Sequence, residues 1–247
     1  MEKNYKISII TVTKNSEKFL EDCILSVHNQ SYKNYEHIII DGNSTDNTVN
    51  IIKKHEEKIT YWMSESDEGL YDAMNKGIKK STGDIIGILN SDDIYYDQAL
   101  KIVNNYFNKK KNLDFLFGSV YKYKLMHGYN PRKIKWSFGF YTTHSVGFFI
   151  KRESQLKVGF YNLKYKNSSD YDLFYRMILK FKMKGVATEK DEIFGEFRKG
   201  GFSSNFTYLE FLKENTQIRI DNGQNIILVY IIFLIKFIKN IRKVLKK

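Results

Sequence analysis

The sequence predicts an α/β protein: a mostly parallel sheet flanked by helices, followed by a helical C-terminal tail. Three observations carry that reading. Apolar runs of strand length alternate with helix-length stretches through the first 120 residues, the pattern of a parallel sheet covered on both faces. Polar and acidic residues gather directly after four of those runs, at the strand ends where open parallel sheets bind ligands. The stretch 226–247 joins an unbroken apolar run to a cluster of basic residues.

In chain order, residues 7–12 read as the first strand and residues 19–29 as a helix, with Leu20, Ile24 and Val27 on its apolar side. Residues 35–41 repeat the strand pattern. Residues 45–55 read as the second helix, with Ser44 or Thr45 as its cap. A strand at 59–63, a helix at 70–80, a buried strand at 84–89, a helix at 98–107 and a strand at 113–120 follow. The pattern then changes. Residues 121–125 and 133–140 lie on either side of His127-Gly128-Tyr129-Asn130-Pro131 and suggest a hairpin or a loop-rich insertion. Residues 146–150 read as a return to the sheet, 170–182 as a helix, 192–197 as a strand, and 208–221 as a helix ending near Gly223. No internal repeat or low-complexity linker divides the two halves, so one continuous unit is expected over 1–205, with helices over 206–247.

A chain of 247 residues with 42% apolar and 28% charged residues has a globular composition. Its formal charge of +12 calls for an anionic partner: nucleic acid, a phosphorylated ligand or a membrane surface. Cys23 is the only cysteine, which excludes an intramolecular disulfide and a thiolate metal cluster; a buried small hydrophobe is expected there. The polar start, residues 1–6, does not resemble a signal peptide, and a cytoplasmic location is expected.

Four strand ends collect the chemistry. Thr13, Lys14 and Asn15 follow the first strand and Asp41 ends the second. Ser64-Glu65-Ser66-Asp67-Glu68 follows the third, and Asn90-Ser91-Asp92-Asp93 the fourth. Two carboxylates at the end of a buried strand suit a hard divalent cation, Mg²⁺ or Mn²⁺, held against a diphosphate. The same residues would also suit a helix cap, but the apolar run leading straight into the pair favours the metal. An ionised Asp41 could accept from the imino group of a base, although Asp41-Gly42-Asn43 equally suits a plain turn.

Five blocks now stand in order: residues 7–15, Ile38-Ile-Ile-Asp-Gly-Asn-Ser-Thr-Asp46, Gly69-Leu-Tyr-Asp-Ala-Met-Asn-Lys-Gly77, Thr82-Gly-Asp84 and Leu89-Asn-Ser-Asp-Asp93. Together they resemble the family 2 glycosyltransferases, which have the Rossmann-like GT-A fold, and most closely the bacterial branch that builds exopolysaccharide, capsule and lipopolysaccharide. The resemblance implies an inverting transfer from a nucleoside-diphosphate sugar, a UDP-sugar first of all, with residues 1–120 as the nucleotide-sugar part and 121–205 as the acceptor part. It implies that Thr11, Thr13 and Asn15 line the nucleotide pocket and that Asp41 holds the base. Asn75 falls along the nucleotide side, Asp92 meets the ribose and Asp93 the metal. Gly42 stands where the family pattern has a second acidic residue.

Such a displacement needs a carboxylate to take the proton of the acceptor hydroxyl. The resemblance points to Asp170 in Ser168-Ser-Asp-Tyr-Asp-Leu173, with Asp172 in reserve; an acidic residue there also suits a helix N-terminus. Arg198, in the basic glycine-containing loop 198–203, could meet the diphosphate, or the loop could be an ordinary turn. His144 matches a histidine of the same branch at the acceptor site or near the metal, against the commoner structural use of a lone histidine. In the tail, residues 226–235 are too few to span a bilayer, while Lys236, Lys239, Arg242, Lys243, Lys246 and Lys247 line the apolar positions beyond. A helix lying on an anionic membrane surface at the inner face of the cell membrane is expected, which suits a saccharide or lipid-linked acceptor; packing on the protein's own core is the alternative. Nucleic acid is not expected. No Gly-x-Gly-x-x-Gly turn or phosphate-loop signature follows the first strand, and Tyr121-Lys-Tyr-Lys124 alone interleaves basic and aromatic residues. A non-catalytic nucleotide binder and a nucleotidyltransferase of similar architecture are the rival classes.

Overall fold

The computed structural model describes residues 3–136, 139–198 and 206–244. Its centre is a seven-stranded sheet. Strand β1 (Ile7–Thr13) pairs in parallel with β2 (Tyr35–Asp41) on one side and β4 (Ile85–Ile88) on the other, and β3 (Tyr61–Ser64) extends the sheet beyond β2. Beyond β4 come β9 (Phe148–Lys151), antiparallel to both its neighbours, then β6 (Phe115–Phe117) and β10 (Gly185–Ala187).

All seven residues of β1 are buried because helices cover both faces. Ile10 and Val12 point to one face and pack with Ile38, Ile40 and the apolar side of α3 (Leu70–Lys80). On the other face Ile7 and Ile9 pack with Cys23 and Val27 of α1 (Leu20–His28), and Ile39 packs with Ile51 and Ile52 of α2 (Thr48–Lys54). This is the period-two alternation of a strand sorting its side chains between two layers. Cys23 is the buried hydrophobe expected.

Several boundaries differ from the sequence reading. Helix α2 starts at Thr48, with Asn47 as its N-cap, because Ser44 and Thr45 are held elsewhere: Ser44 by Asp41 and Thr45 by the Asn15 side chain. The single strand expected at 113–120 is two strands in different sheets. Its break falls at Gly118, where a Cβ would lie 2.2 Å from the Phe194 ring. Strand β7 (Ser119–Tyr121) enters a second sheet in the order β5 (Ile94–Tyr95), β11 (Ile193–Glu196), β7, β8 (Leu125–Met126). The hairpin therefore forms between β7 and β8, while residues 131–136 make a 3₁₀ turn and no strand. Helix α4 (Ala99–Lys109) matches its pattern, and α5 (Arg152–Val158) is an additional short helix. The helix expected at 170–182 is α6 (Ser169–Tyr175), continued as a π-helical turn over Arg176–Lys180.

The C-terminal part folds back as α7 (Tyr208–Asp221), α8 (Ile226–Lys239) and α9 (Ile241–Val244). Thr207 and Glu210 form a reciprocal capping box at the start of α7. Val229 and Ile232 of α8 are buried and its outward residues are not, so core packing and an open apolar face coexist on one helix. No helix among the described residues is long and apolar enough to cross a membrane.

Candidate active site

From β1 the chain moves one way to β2 and β3, and β4 is added on the other side. The loops after β1 and β4 therefore splay apart at the carboxyl ends, the position where open α/β sheets form a crevice. Two clefts of about 530 Å³ each open there, and they share Leu70, Asn90 and Asp92. The first is walled by Thr13, Asn15, Phe19, Asp67, Gly69 and Ser91. The second is walled by Tyr71, Lys122, Tyr141, His144, Asp170 and residues at the start of α7.

Asn15 adopts a left-handed backbone, φ 49°. Its amide N–H donates to Ser44 Oγ at 2.8 Å, and its side-chain oxygen accepts from Thr45 N–H at 2.8 Å. That pairing fixes the loop after β1 against the loop after β2. Thr13 lines the first cleft with a buried hydroxyl that has no hydrogen-bond partner among the described residues, a group left for a ligand to satisfy.

Asp41 is fully buried and does not line either cleft. Its carboxylate accepts from the Ser44 amide at 3.0 Å, the Ser44 hydroxyl at 2.5 Å and the Ser64 hydroxyl at 2.6 Å. It ties the end of β2 and the loop after it to the end of β3. Asp67, not Asp41, is the carboxylate of these strand ends that lines the first cleft, and it packs so closely on Gly42 that a Cβ there would lie 2.3 Å from Asp67 Oδ2. The family's second acidic residue would not fit at Gly42 while Asp67 holds this position.

Three further residues sit away from the clefts. Thr11 is buried within β1, its hydroxyl 3.0 Å from His37 Nε2. The Asn75 amide is consumed by the backbone of Tyr161, donating to its carbonyl and accepting from its N–H, each at 2.9 Å; it joins α3 to the segment before α6. The Arg198 guanidinium pairs with Asp22 of α1 at 3.1 Å, and the rest of its loop, 199–203, lies outside the described residues. His144 does reach the second cleft, but burial pushes its pKa down to about 3. It is a neutral ring, hydrogen-bonded through Nε2 to Tyr161 Oη at 2.6 Å.

The acidic pair divides its labour. Asp92 lines both clefts. Asp93 is fully buried, with one oxygen accepting from Ser145 Oγ at 2.5 Å and the other from the Arg198 amide at 2.9 Å. Of the pair, Asp92 is therefore the carboxylate that faces the clefts, and Asp93 ties the loop after β4 to the end of β11. Burial raises the pKa of both groups, and their mutual repulsion raises that of Asp93 further. No group of three or more His, Cys, Asp or Glu side chains suited to a metal occurs among the described residues. The donors present still fit a hard cation: Asn90 Oδ1 is buried without a partner among the described residues, and Asn90 and Asp92 both line the shared edge of the clefts, leaving coordination positions for phosphate oxygens.

Asp170 stands in the first turn of α6 and lines the second cleft. Tyr141 Oη donates to it at 2.9 Å, the Tyr171 amide at 2.9 Å and Tyr71 Oη at 3.2 Å. Burial raises its pKa in spite of those donors. The arrangement is that of an oriented carboxylate with enhanced proton affinity. Asp172 turns away to an ion pair with Arg176 at 2.8 Å.

The family model described as Glycosyl transferase family 2 matches residues 8–183. This chain belongs to glycosyl transferase family 2. An uncharacterized glycosyltransferase of Mycobacterium tuberculosis is 42% identical over 88 residues, which cover 35% of this chain and only 34% of that protein. A PGL/p-HBAD biosynthesis glycosyltransferase of Mycobacterium bovis is 28% identical over 224 residues, 83% of this chain and 82% of its own. The structure of S. aureus TarS 1–349 in complex with UDP-GlcNAc superposes with a TM-score of 0.70 at 17% identity, over 95% of this chain and 73% of that one. At that identity the likeness establishes the fold, a GT-A architecture.

Within this family 2 domain, sequence reasoning passed over Asp67, Asn90, Tyr71, Tyr141 and Lys122 as site residues. Asp67 and Asn90 stood in strand-end segments already marked, and only side-chain direction separated them from Asp41 and Asp93. Lys122 belongs to the Tyr121–Lys124 run that had suggested nucleic acid. It is half-buried at the second cleft, 4.1 Å from the Phe197 ring centroid, with its pKa lowered by burial against the opposing pull of Asp93. Tyr71 stood inside the block 69–77, where only Asn75 was singled out, and Tyr141 had no signal among 18 tyrosines.

Proposed function

We propose that this chain is an inverting, metal-dependent glycosyltransferase that moves a sugar from a nucleoside-diphosphate sugar to a hydroxyl of a saccharide or lipid-linked acceptor in surface polysaccharide synthesis. The observation that carries the reading is the meeting of two clefts at Asn90 and Asp92, with Asp170 in the second. In this reading the nucleotide takes the first cleft, against Thr13, Asn15 and Asp67, and the acceptor enters the second. UDP is the first nucleotide to test, because TarS, of the same fold, is described with UDP-GlcNAc bound.

Asn90 and Asp92 would hold a Mn²⁺ or Mg²⁺ ion, which when bound offsets the charge of the diphosphate as a Lewis acid. Lys14 and Lys122 add fixed cations to the walls of the first and second clefts. Asp170 takes the proton from the acceptor hydroxyl as that oxygen bonds to the anomeric carbon and the bond to the diphosphate breaks. Tyr71 and Tyr141 orient the carboxylate. Asp92 and Asp170 are the acidic side chains among the described residues of the second cleft. With Asp92 committed to the cation and Asp170 to the acceptor proton, none remains to form the covalent sugar intermediate that retention uses, by the two-carboxylate logic of glycoside hydrolysis.

The test is nucleoside-diphosphate release from UDP-, GDP- and dTDP-sugars, with Mn²⁺ or with EDTA, for the wild type, Asp92→Asn and Asp170→Asn. Release from one donor that needs Mn²⁺ and is lost in both variants supports the proposal. Metal-independent release undiminished in Asp92→Asn, or failure of every donor to bind, overturns it.

A further inference from the structure

Helix α8 has two unlike faces. Val229 and Ile232 are buried on the inner one. On the outer one Ile227, Tyr230, Ile231, Leu234, Ile235 and Ile238 are between 47% and 69% exposed. Their spacing places them in one stripe, and no charged residue interrupts it. Basic groups flank the stripe at both ends. At its start Gln224 Nε2 donates to the Lys135 carbonyl at 3.2 Å, bringing up exposed Arg132, Lys133, Lys135 and the half-exposed ring of Trp136. At its far end stand exposed Lys239, Arg242 and Lys243.

A contiguous exposed apolar stripe of this kind marks an interaction surface. Fourteen residues of helix extend about 21 Å, against a hydrocarbon core of about 30 Å, so α8 suits lying along a bilayer and not crossing one. A second copy of the chain is the poorer partner. Pairing two stripes, parallel or antiparallel, sets a basic end against a basic end, whereas anionic lipid meets both ends with opposite charge. The far end also adjoins the second cleft: Lys243 Nζ lies 5.9 Å from the ring centroid of Tyr208, which lines that cleft.

We infer that α8 lies in the surface of an anionic bilayer, and that the acceptor reaches Asp170 from that surface as a sugar joined through phosphate to a lipid. The second half rests on the acceptor-cleft reading above; the first half stands without it. The lysine and aromatic pair at the cleft mouth suits an anionic linkage entering from the lipid side. Trp136 and Tyr230 suit the headgroup zone, where amphipathic rings settle.

The full chain is sedimented with phosphatidylcholine vesicles, with and without phosphatidylglycerol, and compared with two variants. Wild type is expected to bind the anionic vesicles. Ile231→Asp with Ile235→Asp loses roughly tenfold or more of that binding, with binding of the nucleotide sugar unchanged as the check on folding. Lys239→Glu with Lys243→Glu loses roughly fivefold per residue, because each basic group near the surface contributes about that factor. Equal binding to neutral and anionic vesicles, wild-type binding by the double aspartate variant, or a solution dimer dissolved by it overturns membrane docking. The acceptor is tested by transfer to a phosphate-linked lipid sugar in those vesicles and to the same sugar free. Preference for the lipid form, lost in the double aspartate variant, supports the inference; equal transfer to both overturns it. Metal-dependent release of nucleoside diphosphate stays readable in either case, so failure here is distinguishable from failure of the proposed activity.

Discussion

At Asp170 two opposed effects meet: burial raises the carboxyl's pKa, while Tyr141, the Tyr171 amide and Tyr71 stabilise its anion, and burial prevails. A general base works only when ionised, so the acid limb of kcat/KM should lie above the range of an ordinary carboxylate. Tyr141→Phe removes a donor to the anion and should move that limb to higher pH, leaving the rate at high pH much less affected. Asp170→Asn should lower kcat by roughly 10²–10⁴-fold with nucleotide affinity retained, and a pH–rate series on the three proteins checks both. That this carboxylate stands at a cleft was legible in the sequence through its neighbours, but its environment was not. The same limit governs Asp92 and Asp93: an adjacent pair shows that a carboxylate faces the cleft, and only the Ser145 hydroxyl and Arg198 amide decide which. Thr11 and Thr13 share a strand face, yet one lies under the sheet and the other at its edge.

Elements were easier to read than side chains because apolar periodicity spans many residues, whereas a breaking point depends on one distant contact. Gly118 splits an expected strand because Phe194, 76 positions later in the sequence, fills the space of its Cβ. Glu36 is a second case, invisible in its strand and structurally central. It is 3% exposed and joins β1, β2 and the turn before β4, accepting from Ser8 Oγ at 2.6 Å, Thr82 N–H at 2.6 Å and Lys6 Nζ at 2.6 Å. Burial alone would raise its pKa, but Lys6, Ser8 and Thr82 outweigh it and hold it at about 2 against an ordinary 4.5. The sign follows from that depression: its stabilisation is present above 4.5 and is lost as pH falls toward about 2. Glu36→Gln should therefore cost about 1–3 kcal/mol near neutrality, by turning an amide toward donors. Its stability should also fall less steeply over that acid window. Urea unfolding at a series of pH values reads both effects, and a variant with wild-type acid sensitivity would remove Glu36 from the account.

The whole molecule combines a sheet whose strand ends diverge, two clefts meeting at that divergence, and a helical tail beside the second cleft. Much of this was legible from five short blocks and one apolar run; the partition between clefts was not, because it depends on contacts such as Tyr71 with Asp170 between α3 and α6, which lie far apart in the sequence. On the proposed reading, that partition makes donor and acceptor functions separable by mutation. A ligand present at about 100 times its Kd stabilises the folded state by about 2.7 kcal/mol, roughly 5–10 °C in melting temperature for a chain of this size. UDP with Mn²⁺ should produce such a rise in the wild type, and EDTA should remove the metal-dependent part. Asp92→Asn should lose that same part even with Mn²⁺ present, since in the proposed site this carboxylate and the diphosphate share one cation. Asp170→Asn should keep the whole rise, because its carboxylate lies in the second cleft and, in the proposed mechanism, acts only on the acceptor proton. Loss of the rise in Asp170→Asn and its survival in Asp92→Asn would place the nucleotide against α6, and the roles of the two clefts would have to be exchanged.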